Sequence, residues 1–385
     1  MTVIKEKVFF ILGKFQGCYN KVSAHVLGAT VIKEVIRRAN VDANDVCEVI
    51  MGQALPAGEG QNPARQASLK AGISIETPAY GINMLCGSGL KAVGLGFQAI
   101  RNGDSCIVIA GGQENMTKSP HTIHLRSEKR MGNATIVDSM LCDGLTDAMN
   151  KIHMGETAEI LAKEYQIGRK EQDILAAKSH SLADAAQKAG YFDEETVQID
   201  ATVINKDENV RPGTNVESLG AMKPIFVKEN GTITVGNASG INDSAACVLL
   251  ASAEAVAEGK LKPLAKIVAF AQTGCDPKMM GAGPITAVPA VLKKAGWTID
   301  QVDLFELNEA FAAQALAVNK GLGLDGSNVN INGGAIALGH PIGASGARIL
   351  VTLIYALKRT QKKRGIASLC IGGGMGVAMA IEMLE

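Results

Sequence analysis

The chain has 385 residues, 47% of them hydrophobic, with 38 basic and 38 acidic side chains. That length supplies two or three packed units, and the zero formal net charge gives no global field to recruit nucleic acid or an anionic membrane surface. The 43 glycines fall inside apolar stretches, which points to tight turns and close backbone approach and away from disorder.

At the N-terminus, Lys5 and Lys7 precede only Val8–Leu12 as an apolar core. That is too short for a secretory signal. Ala29–Ala39 reads as an amphipathic helix, with Val31, Ile32, Val35 and Ile36 on its apolar side. Val46–Met51 reads as a buried strand ended by Gly52. Gly89–Arg101 reads as a helix stopped by Asn102-Gly103. Ser105–Ala110 is an apolar strand running into Gly111-Gly112. This alternation predicts an α/β fold with its sheets covered on both faces.

Residues 116–241 have another texture, richer in polar turns, Met, His and charge. Thr157–Glu164 and Glu171–Lys188 read as helices, and Asn205–Gly220 as irregular. A long insertion over an α/β core is where a substrate lid or binding loop is expected. Further on, Val302–Leu307 reads as a strand. Lys358-Arg359 and Lys362-Lys363-Arg364 read as the basic end of a helix. Gly365–Ile381 is uncharged over 17 residues and contains five glycines. A buried strand pair fits it better than a membrane helix.

The second half repeats the order of the first. Val46–Ile50 can be laid over Val302–Glu306, and a Ser-Gly pair opens a helix 42 residues after Val46 (Ser88) and 43 after Val302 (Ser345). Both helices lead to an apolar strand ending in glycines, Gly111-Gly112 and Gly372-Gly373-Gly374. The matched spacing predicts a duplicated, pseudo-symmetric core.

Eight cysteines are scattered at 18, 47, 86, 106, 142, 247, 275 and 370, without a Cys-x-x-Cys or a Cys/His cluster of zinc spacing. No structural metal is expected, and free thiols in a reducing, cytoplasmic setting are.

Four segments could carry chemistry. Cys86 sits in Asn83-Met84-Leu85-Cys86-Gly87-Ser88-Gly89, entered by an apolar run and left by a helix. A thiol near a helix N-terminus is expected to favour the thiolate, and the free N–H groups there could hold an oxyanion. A buried structural cysteine fits that segment equally well. His340 lies between Gly339 and Pro341 in a rigid loop with almost no other polar side chain. A fixed imidazole there suits a general base of depressed pKa. Cys370 precedes Ile371 and a glycine run, where sheet packing is the simpler reading. Asn308, in Asn308-Glu309-Ala310-Phe311, could be a helix cap or could fix a water.

Together, in this order and spacing, the four segments resemble the signature blocks of the thiolase family. The resemblance spans about Gly13 to Met383 and is closest to the biosynthetic branch. Supporting blocks are Leu55–Gln66, Asp143–Ala148, His153-Met154-Gly155 and Gly236–Gly240.

The resemblance implies duplicated βαβαβ halves in a five-layer α/β/α/β/α core with an inserted loop domain. The implied division is residues 1–115 plus about 242–263, the loop domain 116–241, and residues 264–385. It implies that Cys86 is acylated, that His340 activates it and lines the site of the thioester oxygen, and that Cys370 moves the α-proton. Asn308 would hold a water in that oxyanion site. The N–H groups of Cys86 and Gly372 would form a second one. Leu145, His153, Met154, Arg211, Ser218, Phe226, Ala238, Ser239, Met280, Ala310 and Phe311 fall where the family contacts CoA or the acyl group.

The implied reaction joins two acetyl-CoA into acetoacetyl-CoA and CoA, or runs in reverse. CoA is then substrate and product, with no cofactor. A homotetramer, a dimer of dimers, is the implied assembly. His121 and His124 fall in the family's tetramer-contact loop. A Met154 thioether in the acyl tunnel favours short chains over a degradative 3-ketoacyl-CoA thiolase. The presence of Cys370, and of His340 as the one histidine of its loop, separates the chain from decarboxylating ketoacyl synthases. An inactive binding subunit is a further alternative, against which the four intact residues speak. The resemblance departs at Val8–Phe15, where Gly13-Lys14-Phe15 is kept and the usual Arg-Thr is missing. The stretch from Glu195 to Arg211 is also shorter than in biosynthetic relatives.

Overall fold

The computed structural model describes residues 2–10, 12–125, 131–197, 207–258 and 261–384. Ile11, the basic residues at 126–130 and most of the short segment before Arg211 (198–206) lie outside the described residues.

The first half contains β1 (Thr2–Phe10), β2 (Gly13–Lys14), α1 (Ala24–Ala39), β3 (Glu48–Gly52), α2 (Pro63–Lys70), β4 (Ala79–Ile82), α3 (Ser88–Asn102) and β5 (Ile107–Asn115). Next come β6 (His121–Thr122), β7 (Val137–Asp138), α4 (Met154–Glu164), α5 (Arg169–Lys188), β8 (Thr196–Val197) and α6 (Val216–Gly220). β9 (Asn242–Ser252) and α7 (Ala253–Glu258) return the chain to the first half. The second half has β10 (Ala265–Gly274), α8 (Gly283–Ala295), β11 (Leu304–Leu307), α9 (Ala312–Leu322) and α10 (Ala335–Leu338). It closes with α11 (Ser345–Thr360), β12 (Arg364–Ile371) and β13 (Met375–Met383).

The strand order shows the duplication. It runs β11-β12-β13-β10-β1-β9-β5-β3-β4. β3 lies parallel to β5 as β11 lies parallel to β12, and β5–β9–β1 and β12–β13–β10 are antiparallel. The halves join where β1 meets β10, through Val3 opposite Lys266 and Ile4 opposite Ala265. β1 forms over nine residues without the Arg-Thr pair, because β9 and β10 supply ladder partners on both sides.

Period-two alternation explains the layers. On β9, Ala246, Val248 and Leu250 face a central core, whereas Ala245, Cys247 and Leu249 face an outer one. α1 and α2 cover that outer face with Leu27, Val31, Val35, Ala64 and Ala67. α8 and α9 cover the outer face of the second half with Val288, Val291 and Val318. Between the sheets lie α3 and α11, packing Leu90, Val93 and Phe97 against Leu350 and Ile354. The result is a five-layer α/β/α/β/α arrangement.

α3 and α11 approach closely at the paired Ser-Gly sites. A Cβ on Gly89 would lie 2.8 Å from the Ala347 nitrogen, and one on Gly346 would strike the Leu90 nitrogen. Both positions therefore exclude a side chain. The uncharged stretch Gly365–Ile381 is the antiparallel pair β12–β13. Among the described residues, no helix is long and apolar enough to cross a membrane.

Candidate active site

The catalytic candidates converge at the starts of α3 and α11. Leu85–Gly87 forms a single 3₁₀ turn before α3. Leu85 holds φ 48°, a left-handed conformation costly for a bulky residue. Side chains on both flanks hold it there. Asn83 Oδ1 accepts the Leu85 N–H at 2.9 Å, and Asn83 Nδ2 donates to the Ala54 carbonyl at 3.1 Å. Ser88 Oγ accepts the Met84 N–H at 2.8 Å and donates to the Leu85 carbonyl at 2.7 Å. This turn presents the Cys86 sulfur to a cavity of about 370 Å³.

His340 reaches the same cavity from the second half. Its N–H donates to Asn242 Oδ1 at 3.0 Å, and the other end of that amide donates to the Gly13 carbonyl at 2.8 Å. Nδ1 lies 2.6 Å from Ser345 Oγ, which is 2.9 Å from the Pro341 carbonyl. We assign the Ser345 hydroxyl proton to the Pro341 carbonyl, which makes Nδ1–H the donor to Oγ. That assigns the Nδ1–H tautomer and leaves Nε2 as the free base. Asn308 Nδ2 sits 3.4 Å and 3.5 Å from the two ring nitrogens. Its Oδ1 is buried without a partner.

Electrostatics holds the resting site neutral. Burial, reinforced by the positive charge of Arg348, lowers His340 to about 3. That matches the depressed value read from the loop. The thiolate expectation for Cys86 is corrected. Burial pushes its thiol up to about 11, although the N–H groups of Gly372 and of Cys86 itself pull the other way. Desolvation outweighs the helix terminus here. Cys370, 1% exposed at the end of β12, is raised well above the ordinary thiol value by burial and then by the nearby Cys86.

The remaining candidates divide between the cavity and its surroundings. Leu145, His153, Met154, Arg211, Phe226, Ala238, Ser239, Met280, Ala310 and Phe311 all line the cavity with Cys86, His340 and Cys370. His153 caps α4 by accepting the Gly155 N–H at 3.0 Å. Its ring stacks on Phe226 at 4.6 Å, and Phe226 meets Phe311 edge-on at 6.4 Å. Ser239 donates its N–H to the Ala310 carbonyl at 3.0 Å, tying the inserted segment to the second half. Ser218 lies away from the cavity, in the first turn of α6, where it bonds Asn215. Asn308 and Gly372 stand behind the lining and act on His340 and Cys86.

Several contributors were not singled out from sequence. Met116, Leu141, Ile225, Val235, Ile241 and Ile342 complete the apolar wall. Asn83 and Asn242, with Ser88 and Ser345 that the sequence marked only as helix openers, hold the two segments by contacts that no local pattern announces. Glu114 carried a signal, a charge at the end of the apolar run Ile107–Gly112.

Comparison with known proteins agrees with this geometry. Residues 3–254 match the thiolase N-terminal domain and residues 261–383 the thiolase C-terminal domain. The chain is 55% identical over 389 residues to an acetyl-CoA acetyltransferase of Cupriavidus necator, covering 99% of both chains. It is 53% identical over 388 residues to the cytosolic acetyl-CoA acetyltransferase of Mus musculus, covering 99% of this chain and 98% of that one. The crystal structure of the Bacillus anthracis acetyl-CoA acetyltransferase superposes with a TM-score of 0.96 at 43% identity, over 100% of this chain and 98% of that one. The chain belongs to the thiolase family.

Proposed function

We propose that the chain is an acetyl-CoA C-acetyltransferase, joining two acetyl-CoA into acetoacetyl-CoA and CoA or running the reverse thiolysis. The observation that carries this reading is one cavity lined by two thiols and a buried imidazole. The names and identities of the relatives support the same activity.

Cys86 gives its proton to His340 Nε2 as its sulfur attacks the thioester carbon. The oxygen of the tetrahedral intermediate takes hydrogen bonds at the site, and losing one such donor costs ~10²–10³ in rate. The intermediate expels the CoA thiolate, which takes the Cys370 proton and leaves. The site then holds acetyl-Cys86, imidazolium and a Cys370 thiolate. A second acetyl-CoA enters, and Cys370 removes its α-proton. The resulting carbanion attacks acetyl-Cys86. The departing Cys86 sulfur recovers its proton from His340. Every group returns to its resting neutral form, and covalent attachment splits one difficult step into two. CoA enters as substrate and product, and the sequence of steps asks for no resident cofactor.

Residues 116–241 serve in this reading as the loop domain that holds CoA, with Arg211 as the cation of the cavity lining. Met154 limits the acyl chain, so a ten-carbon 3-ketoacyl-CoA should give a much lower kcat/KM than acetoacetyl-CoA. The reading extends to a cytoplasmic homotetramer working in lipid metabolism. Exposed Ile123, Leu125, Met131 and Ile136 beside the β6–β7 pair support association there, and sedimentation equilibrium tests it. Cys86→Ala should block acylation and thiolysis. Cys370→Ala should still form the acyl-enzyme, seen as a mass increase, and fail to condense. An unchanged rate in either variant overturns the assignment.

A further inference from the structure

Glu114 takes no part in the steps above, yet its carboxylate joins the two halves directly beneath them. It is fully buried at the end of β5. One oxygen accepts the Ala54 N–H at 2.9 Å and the Gly343 N–H at 2.8 Å. The other accepts the Leu55 N–H at 3.2 Å. Ala54 and Leu55 follow β3 in the first half, and Gly343 lies between His340 and Ser345 in the second. The junction is tight: a Cβ on Gly343 would lie 2.5 Å from the carboxylate. A negative charge on that carboxylate opposes a thiolate at Cys86, more weakly than burial does.

We infer that Glu114 is a positioning residue of the acyl-transfer site, tying residues 54–55 to the loop after His340, and that its charge state tunes how readily Cys86 ionises. Among the described residues, the titratable groups coupled to it are Asp243 from β9 and Cys86 from the turn before α3. The 54–55 and 343 segments offer it only N–H groups. Burial pushes its carboxyl up to about 7, against the pull of those three N–H groups and with a further rise from Asp243. Below that value the side chain is neutral, does not repel the Cys86 sulfur, and turns one acceptor oxygen into a donor. Above it the carboxylate grips all three N–H groups and works against the thiolate. The inference rests on Cys86 as the acyl carrier.

Alkylation by iodoacetamide reads the thiol itself, so it can fail independently of that assignment, which activity of Cys86→Ala tests. The rate at Cys86 would be followed by mass spectrometry of its peptide from pH 5.5 to 9, in the wild type and in Glu114→Gln. In the wild type, the logarithm of the rate should climb with a slope below one around pH 7. In Glu114→Gln that inflection should vanish. The variant-to-wild-type ratio should grow by about threefold or more between pH 6 and pH 8.5, the factor for a half-unit change in thiol pKa. A residue that only supports the fold would change the rate by one factor at every pH, and a constant ratio overturns the inference. If Glu114→Gln does not fold, the wild-type profile decides, and a unit slope through pH 6–8 overturns it.

Discussion

α3 and α11 hold matching places in the two halves, and each opens on a Ser-Gly pair. The segments that feed them differ. The turn before α3 places a leucine in left-handed backbone, at a cost of roughly 1–3 kcal/mol, and offsets it with bonds from Asn83 and Ser88. Cys86 as a residue keeps partial exposure, on the side where it lines the cavity. The loop before α11 gives its left-handed position to Gly339, and residues 339–350 are all buried. The difference suits the two tasks that the proposed reaction gives these segments. A nucleophile has to meet a substrate arriving from solvent, so its turn projects. A base has to stay unprotonated at neutral pH, so its loop is desolvated. One duplicated frame supplies both environments.

Ser345→Ala tests the buried side of this comparison. It leaves the Nδ1–H of His340 without an acceptor, a loss of ~1–3 kcal/mol for a buried donor, and frees the ring to change tautomer. We expect kcat to fall by about 10- to 100-fold with little change in KM for acetyl-CoA, and a rate within twofold of wild type would remove Ser345 from the account. A smaller effect is expected at the crossing of the two helices. Gly346→Ala meets backbone and should cost ~1–3 kcal/mol of stability by overpacking. Gly89→Ala should cost less, its nearest obstruction being 2.8 Å away. Thermal denaturation of both variants ranks them, and the reverse order would show that the crossing can relax at α11.

A separate effect is expected on the pH dependence of stability. Glu306, buried on β11, is raised by burial from 4.5 to about 8. The folded state holds the extra proton between those values, so stability falls as pH rises through that window, by up to roughly 1.4 kcal/mol per pH unit for one such group. Glu306→Gln should flatten the fall in Tm between pH 5 and pH 9. A parallel curve would assign the slope to other buried acids.

Much of this was legible in the chain because local pattern and final structure agree. The apolar face of α1 followed from period, the end of α3 from Asn102-Gly103, and the β12–β13 pair from uncharged length and glycines. The repeat followed from the spacing of Ser88 and Ser345. Element starts were less exact, because α1 begins at Ala24 after Ser23, five residues before its clearest apolar stripe. The family blocks named Cys86, His340, Asn308 and Cys370, and the fold brings all four together.

What the sequence determined by itself was therefore the periodicity, the duplication and, through the family blocks, the side chains proposed to react. The protonation states were left to tertiary structure. A cysteine at a helix start reads as a thiolate, yet the surrounding layers desolvate Cys86 and hold its thiol up near 11. The tautomer of His340 depends on a hydroxyl five residues away. The tie between residues 54–55 and the loop after His340 runs through Glu114, distant in sequence from both. Such contacts depend on how five layers stack, and burial, the term that dominates these pKa shifts, exists only once they have stacked.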